Sequence, residues 1–67
     1  MAVAKITEIH ASSKKSFDDA ISVGISRADK TLRKVSGAWV KSQKVLVAKG
    51  KITEYRVILK VSFVLDD

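Results

Sequence analysis

The chain contains no cysteine and no proline among its 67 residues. Without cysteine there can be no disulfide, no thiolate metal site and no cysteine nucleophile. Without proline, every residue after the first keeps its backbone N–H donor. There is one histidine, His10, with no cysteine, second histidine or suitably spaced carboxylate to join it in a metal or acid–base site. Aromatic residues are few: Phe17, Trp39, Tyr55 and Phe63. No apolar run approaches the ~20 residues of a membrane span. The opening residues MAVAKITEIH have neither the basic n-region nor the continuous apolar h-region of a signal peptide, so a cytoplasmic location is expected. A glycine-rich phosphate loop, a nucleophile elbow and a zinc signature are all missing, and the expectation is a protein that is not an enzyme.

What is present is the composition of a folded protein: 46% hydrophobic and 30% charged. At 7.3 kDa there is material for a single domain, residues 1–67, with one small core. Below roughly 70–80 residues such a core needs a staple, and with disulfides excluded the usual one is oligomerisation. The net charge is +6 and the pI near 9.9, which favours anionic partners such as phosphorylated cofactors or nucleic acid. The basic residues are scattered from Lys5 to Lys60, so charge alone selects no partner.

The hydrophobic pattern predicts four elements. A first strand runs over 4–11, with Ile6 and Ile9 as its apolar anchors. Ser16 followed by Asp19 resembles a capping box and opens a helix. Phe17, Ala20, Ile21, Gly24, Ala28, Thr31, Leu32 and Val35 form its apolar stripe, with Val23 alone on the polar face. Asp18 and Asp19 in the first turn and Lys30, Arg33 and Lys34 in the last suit the helix dipole. Gly24 allows helix and sheet to approach closely, and Gly37 suits a left-handed helix stop. A second strand covers 38–48, Lys49-Gly50 forms a short turn, and a third strand runs from 51 or 52 to 65.

The third strand alternates strictly. Tyr55, Val57, Leu59, Val61, Phe63 and Leu65 point one way; Arg56, Ile58, Lys60, Ser62 and Val64 point the other. A tight hairpin pairs Val47 with Ile52, Gln43 with Arg56, Lys41 with Ile58 and Trp39 with Lys60. The helix-facing side then also receives Ala38, Val40 and Leu46, and the open side receives Trp39, Lys41, Gln43, Val45 and Val47. The expected class is α+β: β-α-β-β, a three-stranded antiparallel sheet in order 1-3-2 wrapped around one helix. A ~14-residue strand extends about 46 Å, whereas an ~18-residue helix covers about 27 Å. The sheet therefore overhangs the helix, and an assembly is expected to cover what one chain cannot.

Three segments resemble the dodecin family: S-x-x-S-F-D-D-A-I from Ser13 to Ile21, R-A-x-x-T-L from Arg27 to Leu32, and Y-R-V-x-L-K-V-S-F-x-L-D-D from Tyr55 to Asp67. The resemblance spans nearly the whole chain without gaps. It implies a hollow homododecamer that stores, sequesters or quenches a flavin (FMN, FAD or riboflavin) without turnover. Flavin pairs are held between subunits on a tryptophan of the second strand, with a glutamine of the third strand on the ring edge. Residue by residue, the family's stacking tryptophan position is Gly37 here, the glutamine position is Arg56, and a basic position near the C-terminus is Val64. A basic position on the second strand is kept as Lys44. Trp39 lies two residues beyond Gly37, about 7 Å along the strand.

The candidate ligand residues are accordingly Trp39, Gln43, Arg56, Lys60, Gly37 and Lys44. Trp39 has two readings: a stacking platform for a planar anionic ligand, or an anchor against a neighbouring subunit with Lys60 over its ring. Arg56 could hold a phosphate or carboxylate, or pair with Glu54, Glu8 or an acid of another subunit. Asp18-Asp19 and Asp66-Asp67 are read as helix-capping and solvated carboxylates. Alternatives to flavin storage are a ligand-free structural assembly and a basic surface for nucleic acid, against which a single aromatic on the open face counts.

Overall fold

The computed structural model describes residues 3–32 and 34–65; Arg33, the Asp66–Asp67 pair and the side chain of Leu65 lie outside the described residues. The elements are β1 (Val3–Ser13), α1 (Phe17–Leu32), β2 (Val35–Ala48) and β3 (Lys51–Leu65). The sheet order is β1-β3-β2, with both outer strands antiparallel to β3, as the alternation and chain direction predict.

Short-range chemistry sets the boundaries. The Ser16 hydroxyl accepts from the Asp19 backbone N–H at 2.9 Å, so it caps α1. The Asp19 carboxylate accepts from the Ser13 hydroxyl at 2.6 Å, and Ser13 Oγ accepts from the Lys15 N–H at 2.9 Å. The end of β1 is thereby tied to the start of the helix. At the other end α1 stops at Leu32, three residues short of the expected Val35. The left-handed residue is Lys34, with φ 50°, and not Gly37, which sits inside β2. Val35 begins β2 opposite the buried Phe63, and the Val64 N–H donates to the Lys34 carbonyl at 3.3 Å. Strand pairing at Val35 thus overrides the helical period. The Lys49-Gly50 turn has positive φ at both residues, 54° and 76°, as a tight type I′ hairpin requires.

The core forms where β3 meets α1. Ala20, Ala28, Val57, Leu59 and Val61 are buried, with Ile9, Ala11, Phe17, Ile21, Ile25, Leu32 and Val35 packed around them. Thr31, expected in the stripe, is exposed, and Ile25 takes part in the packing instead. Gly24 lies between Ala20 and Ala28, and a Cβ there would come within 3.0 Å of Ala11 Cβ and 3.1 Å of Leu59 Cδ1. Phe17 closes one end of this layer, edge-on to Tyr55 with ring centroids 5.1 Å apart.

The β2–β3 register departs from the expected one in its middle. Val47 pairs with Ile52 and Trp39 with Lys60 as expected, but Gln43 pairs with Val57 and Lys44 with Arg56. Two bulges account for this. One leaves Lys41 without a partner on β2, between the Val40–Leu59 and Ser42–Ile58 pairs. The other leaves Thr53 without a partner on β3, between Leu46–Glu54 and Val47–Ile52. Each extra residue shifts the ladder by one in opposite senses, so between them side chains exchange faces. Gln43 and Val45 turn to the helix side; Ser42, Lys44 and Leu46 turn to the open side.

β1 ends its pairing at Ser13–Tyr55, while β2 and β3 continue to Ala48–Lys51. The tip is therefore a two-stranded ribbon past the end of β1, and the molecule measures 52 × 18 × 13 Å. Val47 (60% exposed) and Ile52 (51%) lie uncovered on it.

The glycine contacts separate two substitutions. Gly24→Val should lower stability by about 1–3 kcal/mol in chemical denaturation, because Ala11 Cβ is anchored directly on the backbone of β1 and has no rotamer by which to retreat. Gly37→Ala, whose Cβ would meet only Ser62 Oγ at 3.5 Å, should change it by less than about 0.5 kcal/mol.

Candidate functional site

The sheet face away from α1 is built in rows that follow from pairing. Ile6, Ser62 and Gly37 form one row across β1, β3 and β2. Glu8, Lys60 and Trp39 form the next, then His10, Ile58 and Ser42, then Ser12, Arg56 and Lys44. Because the odd positions of β3 are committed to the core, its even positions are all delivered here.

Trp39 is 48% exposed on the outer strand of this face. Beside it the bulged residue Lys41 reaches across the central strand, and its Nζ donates to Glu8 Oε1 at 2.9 Å. The other carboxylate oxygen, Glu8 Oε2, stands 3.6 Å from His10 Nε2. One ammonium and one carboxylate thus join β1 to β2 over β3. Further along, the Arg56 guanidinium donates through Nε to Glu54 Oε2 at 2.6 Å. Arg56, Lys44, Glu54, Ser12 and His10 line a recess of ≈ 410 Å³. At the opposite end the Ser62 hydroxyl donates to the Gly37 carbonyl at 3.1 Å.

The Lys41 and His10 contacts displace the acidity of Glu8. The hydrogen bond from Lys41 holds its carboxyl below the ordinary value of 4.5, helped by the charges of Lys41 and His10 and opposed by desolvation.

Of the residues singled out from sequence, Trp39, Lys60, Arg56, Lys44 and Gly37 share this face. Gln43 does not: the bulge at Lys41 turns it to the helix side, opposite Val57. The Arg56–Glu54 ion pair is the partner choice realised among those considered. Sequence reasoning did not place Glu8, His10 and Ser12 on the same surface, although their two-residue spacing on β1 carried that information. Asp19 serves the helix start as expected, and among the described residues no group of three His, Asp or Glu side chains could hold a metal ion.

A family model described as Dodecin matches residues 3–66. Among solved structures, an Arg-to-Ala variant of Thermus thermophilus dodecin is 31% identical, with TM-score 0.93 and full coverage (100%) of both chains. A Trp-to-Phe variant of the same protein gives the same identity, 31%, and TM-score, 0.93. Dodecin from Streptomyces davaonensis is 32% identical at TM-score 0.93, covering 98% of this chain and 97% of its own. A calcium dodecin of Mycobacterium tuberculosis, described as a calcium-chelating antigen with a novel calcium-binding site, is 32% identical at TM-score 0.82, covering 96% of this chain and 91% of its own. No curated protein sequence matches the chain.

The Glu8 bridge has a definite pH signature. A carboxylate of lowered pKa contributes stability that is fully present above its unfolded value and lost as pH falls through the folded one. The Glu8 carboxyl should titrate below 4.5 in carbon-detected NMR, and Lys41→Ala should move its midpoint upward. An unmoved midpoint would mean the bridge is absent in solution.

Proposed function

The chain belongs to the dodecin family, and from that premise we propose that it is a non-catalytic, cytoplasmic carrier that self-assembles into a hollow homododecamer and holds a flavin or similar planar anionic molecule on the open sheet face. The observation that carries this reading is Trp39, a large ring half exposed on a face whose reverse side is the core. Such a ring gains stabilisation from whatever flat surface covers it. Ile6, also exposed on this face, and Val47 and Ile52 at the ribbon tip leave further apolar surface for neighbouring copies.

The residues fit a flavin as follows. Trp39 offers the stacking plane, and Lys60, its cross-strand partner, offers positive charge beside it. Gly37, on the same face two residues earlier, leaves a flat backbone patch, since only Ser62 Oγ would meet a Cβ there. Arg56 and Lys44 supply cationic groups further along. Gln43 is excluded from this set because it points away. A flavin bound here would be gripped by stacking and charge, without a glutamine on the ring edge. When bound, the isoalloxazine supplies redox and light-absorbing chemistry; the chain's own residues hold it and exclude solvent.

Two measurements on the purified protein test this. Native mass spectrometry should give a twelve-subunit mass with ligand retained; a monomer would remove the assembly. Added flavin should lose fluorescence at micromolar protein. In Trp39→Ala the particle should persist while flavin affinity falls about tenfold or more, the loss of one stacking surface. Dissociated particles would instead make Trp39 a subunit anchor, and unquenched flavin with the intact protein would leave a structural assembly without flavin.

A further inference from the structure

Three residues of the β2–β3 hairpin are left over by the pairing, and the side chain of each is engaged at the place where it is extra. Ser36 on β2 stands outside the ladder between Val35–Phe63 and Gly37–Ser62, and its hydroxyl donates to the Ser62 carbonyl at 3.3 Å. Thr53 on β3 stands outside it between Leu46–Glu54 and Val47–Ile52, and its hydroxyl donates to the Leu46 carbonyl at 3.2 Å. Both of these bonds reach only the strand directly opposite. Lys41 is held differently: its ammonium crosses β3 and donates to Glu8 on β1 at 2.9 Å. The bulge at Lys41 is therefore fixed from outside the hairpin.

The three bulges are not equivalent. Ser36 shifts the ladder once, and nothing on β3 reverses that shift. Lys41 and Thr53 shift it in opposite senses, so residues 41–46 can be re-paired without moving Val40–Leu59 or Val47–Ile52. The slid alignment sets Lys41 opposite Ile58, Gln43 opposite Arg56 and Leu46 opposite Thr53, and it returns both extra residues to the ladder. Backbone pairing favours that alignment; the side-chain bonds of Lys41 and Thr53 oppose it. We propose that the Lys41–Glu8 bond is a register latch, seconded by the Thr53–Leu46 bond, and that residues 41–46 slide by one position when it is released. Release turns Lys44 to the helix side and brings Gln43 beside Arg56, so a contact made on β1 decides what β2 displays. The latch is a property of the sheet and does not rest on the carrier reading.

The chain has no cysteine, so paired cysteines read the register of the full chain against no background. Cross-strand neighbours stand close enough to join as a disulfide. Arg56→Cys with Lys44→Cys reports the bulged alignment, and Arg56→Cys with Gln43→Cys reports the slid one. In a glutathione buffer the first pair should oxidise preferentially. Adding Lys41→Met or Glu8→Gln should move the ratio toward the second pair about fivefold, the reach of one exposed ion pair. Adding Thr53→Val to Lys41→Met should move it about twenty-five-fold, since the two bonds lie far enough apart to add. Lys41→Arg, which keeps the cation, should leave the ratio unchanged, and so should Ser36→Ala, which breaks the bond at the unmatched bulge. An unmoved ratio in Lys41→Met and Glu8→Gln overturns the latch, as does an equal shift in Lys41→Arg or Ser36→Ala. Proton NMR of the cysteine-free chain gives a second reading. In the double variant Lys41→Met, Thr53→Val the Val45–Tyr55 cross-peak should weaken while those of Trp39–Lys60 and Val47–Ile52 persist. Loss of all three together marks unfolding in place of a slide, and overturns the latch as well.

Discussion

The close approach of α1 to β3 is the constraint from which the rest follows. Ala20, Gly24 and Ala28 present almost no side chain to the sheet, so Val57, Leu59 and Val61 pack directly under the helix. Once those odd positions are buried, the two-residue period of a strand leaves the even positions no choice of side. Arg56, Ile58, Lys60 and Ser62 are carried to the open face, and their cross-strand partners follow. The open face is thus the reverse of the core, set by packing it does not touch.

This explains which parts of the molecule were legible in the sequence. Strand order, the tight hairpin, the Ser16 cap and the role of Gly24 all rest on local chemistry or strict alternation, and all could be read directly. The helix end could not, because Val35 satisfies the helical stripe and the strand equally well; its long-range pairing with Phe63 decides the matter. The bulges were also hidden. From Lys41 to Val47 the chain runs polar, polar, polar, polar, then three apolar residues, and no alternation marks a face. The anchors at either end of that stretch, Trp39–Lys60 and Val47–Ile52, were correctly paired. Between them Gln43 was placed on the wrong side.

The chain belongs to the dodecin family, and its open, partly apolar face carries a distinct set of polar residues. A half-exposed tryptophan, an arginine held by its neighbouring glutamate and a lysine turned outward by a bulge give it a charged, donor-rich character. β1 contributes as much as the hairpin does, through Glu8, His10 and Ser12.

The two bulges have opposite sense, and they are a matched pair of defects in one ladder. Sliding residues 41–46 by a single position would cancel both while leaving Val40–Leu59 and Val47–Ile52 paired as they are. The ends of the segment hold no information about which arrangement is adopted; its interior does. Val45 beside Tyr55 and the Thr53 hydroxyl on the Leu46 carbonyl, at 3.2 Å, favour the bulged state. In the slid state Lys44 would lie beside Tyr55 and Val45 opposite Glu54, exchanging an aliphatic–aromatic contact for a desolvated ammonium. Whether the open face displays the Lys44 ammonium or the Gln43 amide is therefore decided by how one strand is threaded past another, and the bulged register presents the ammonium.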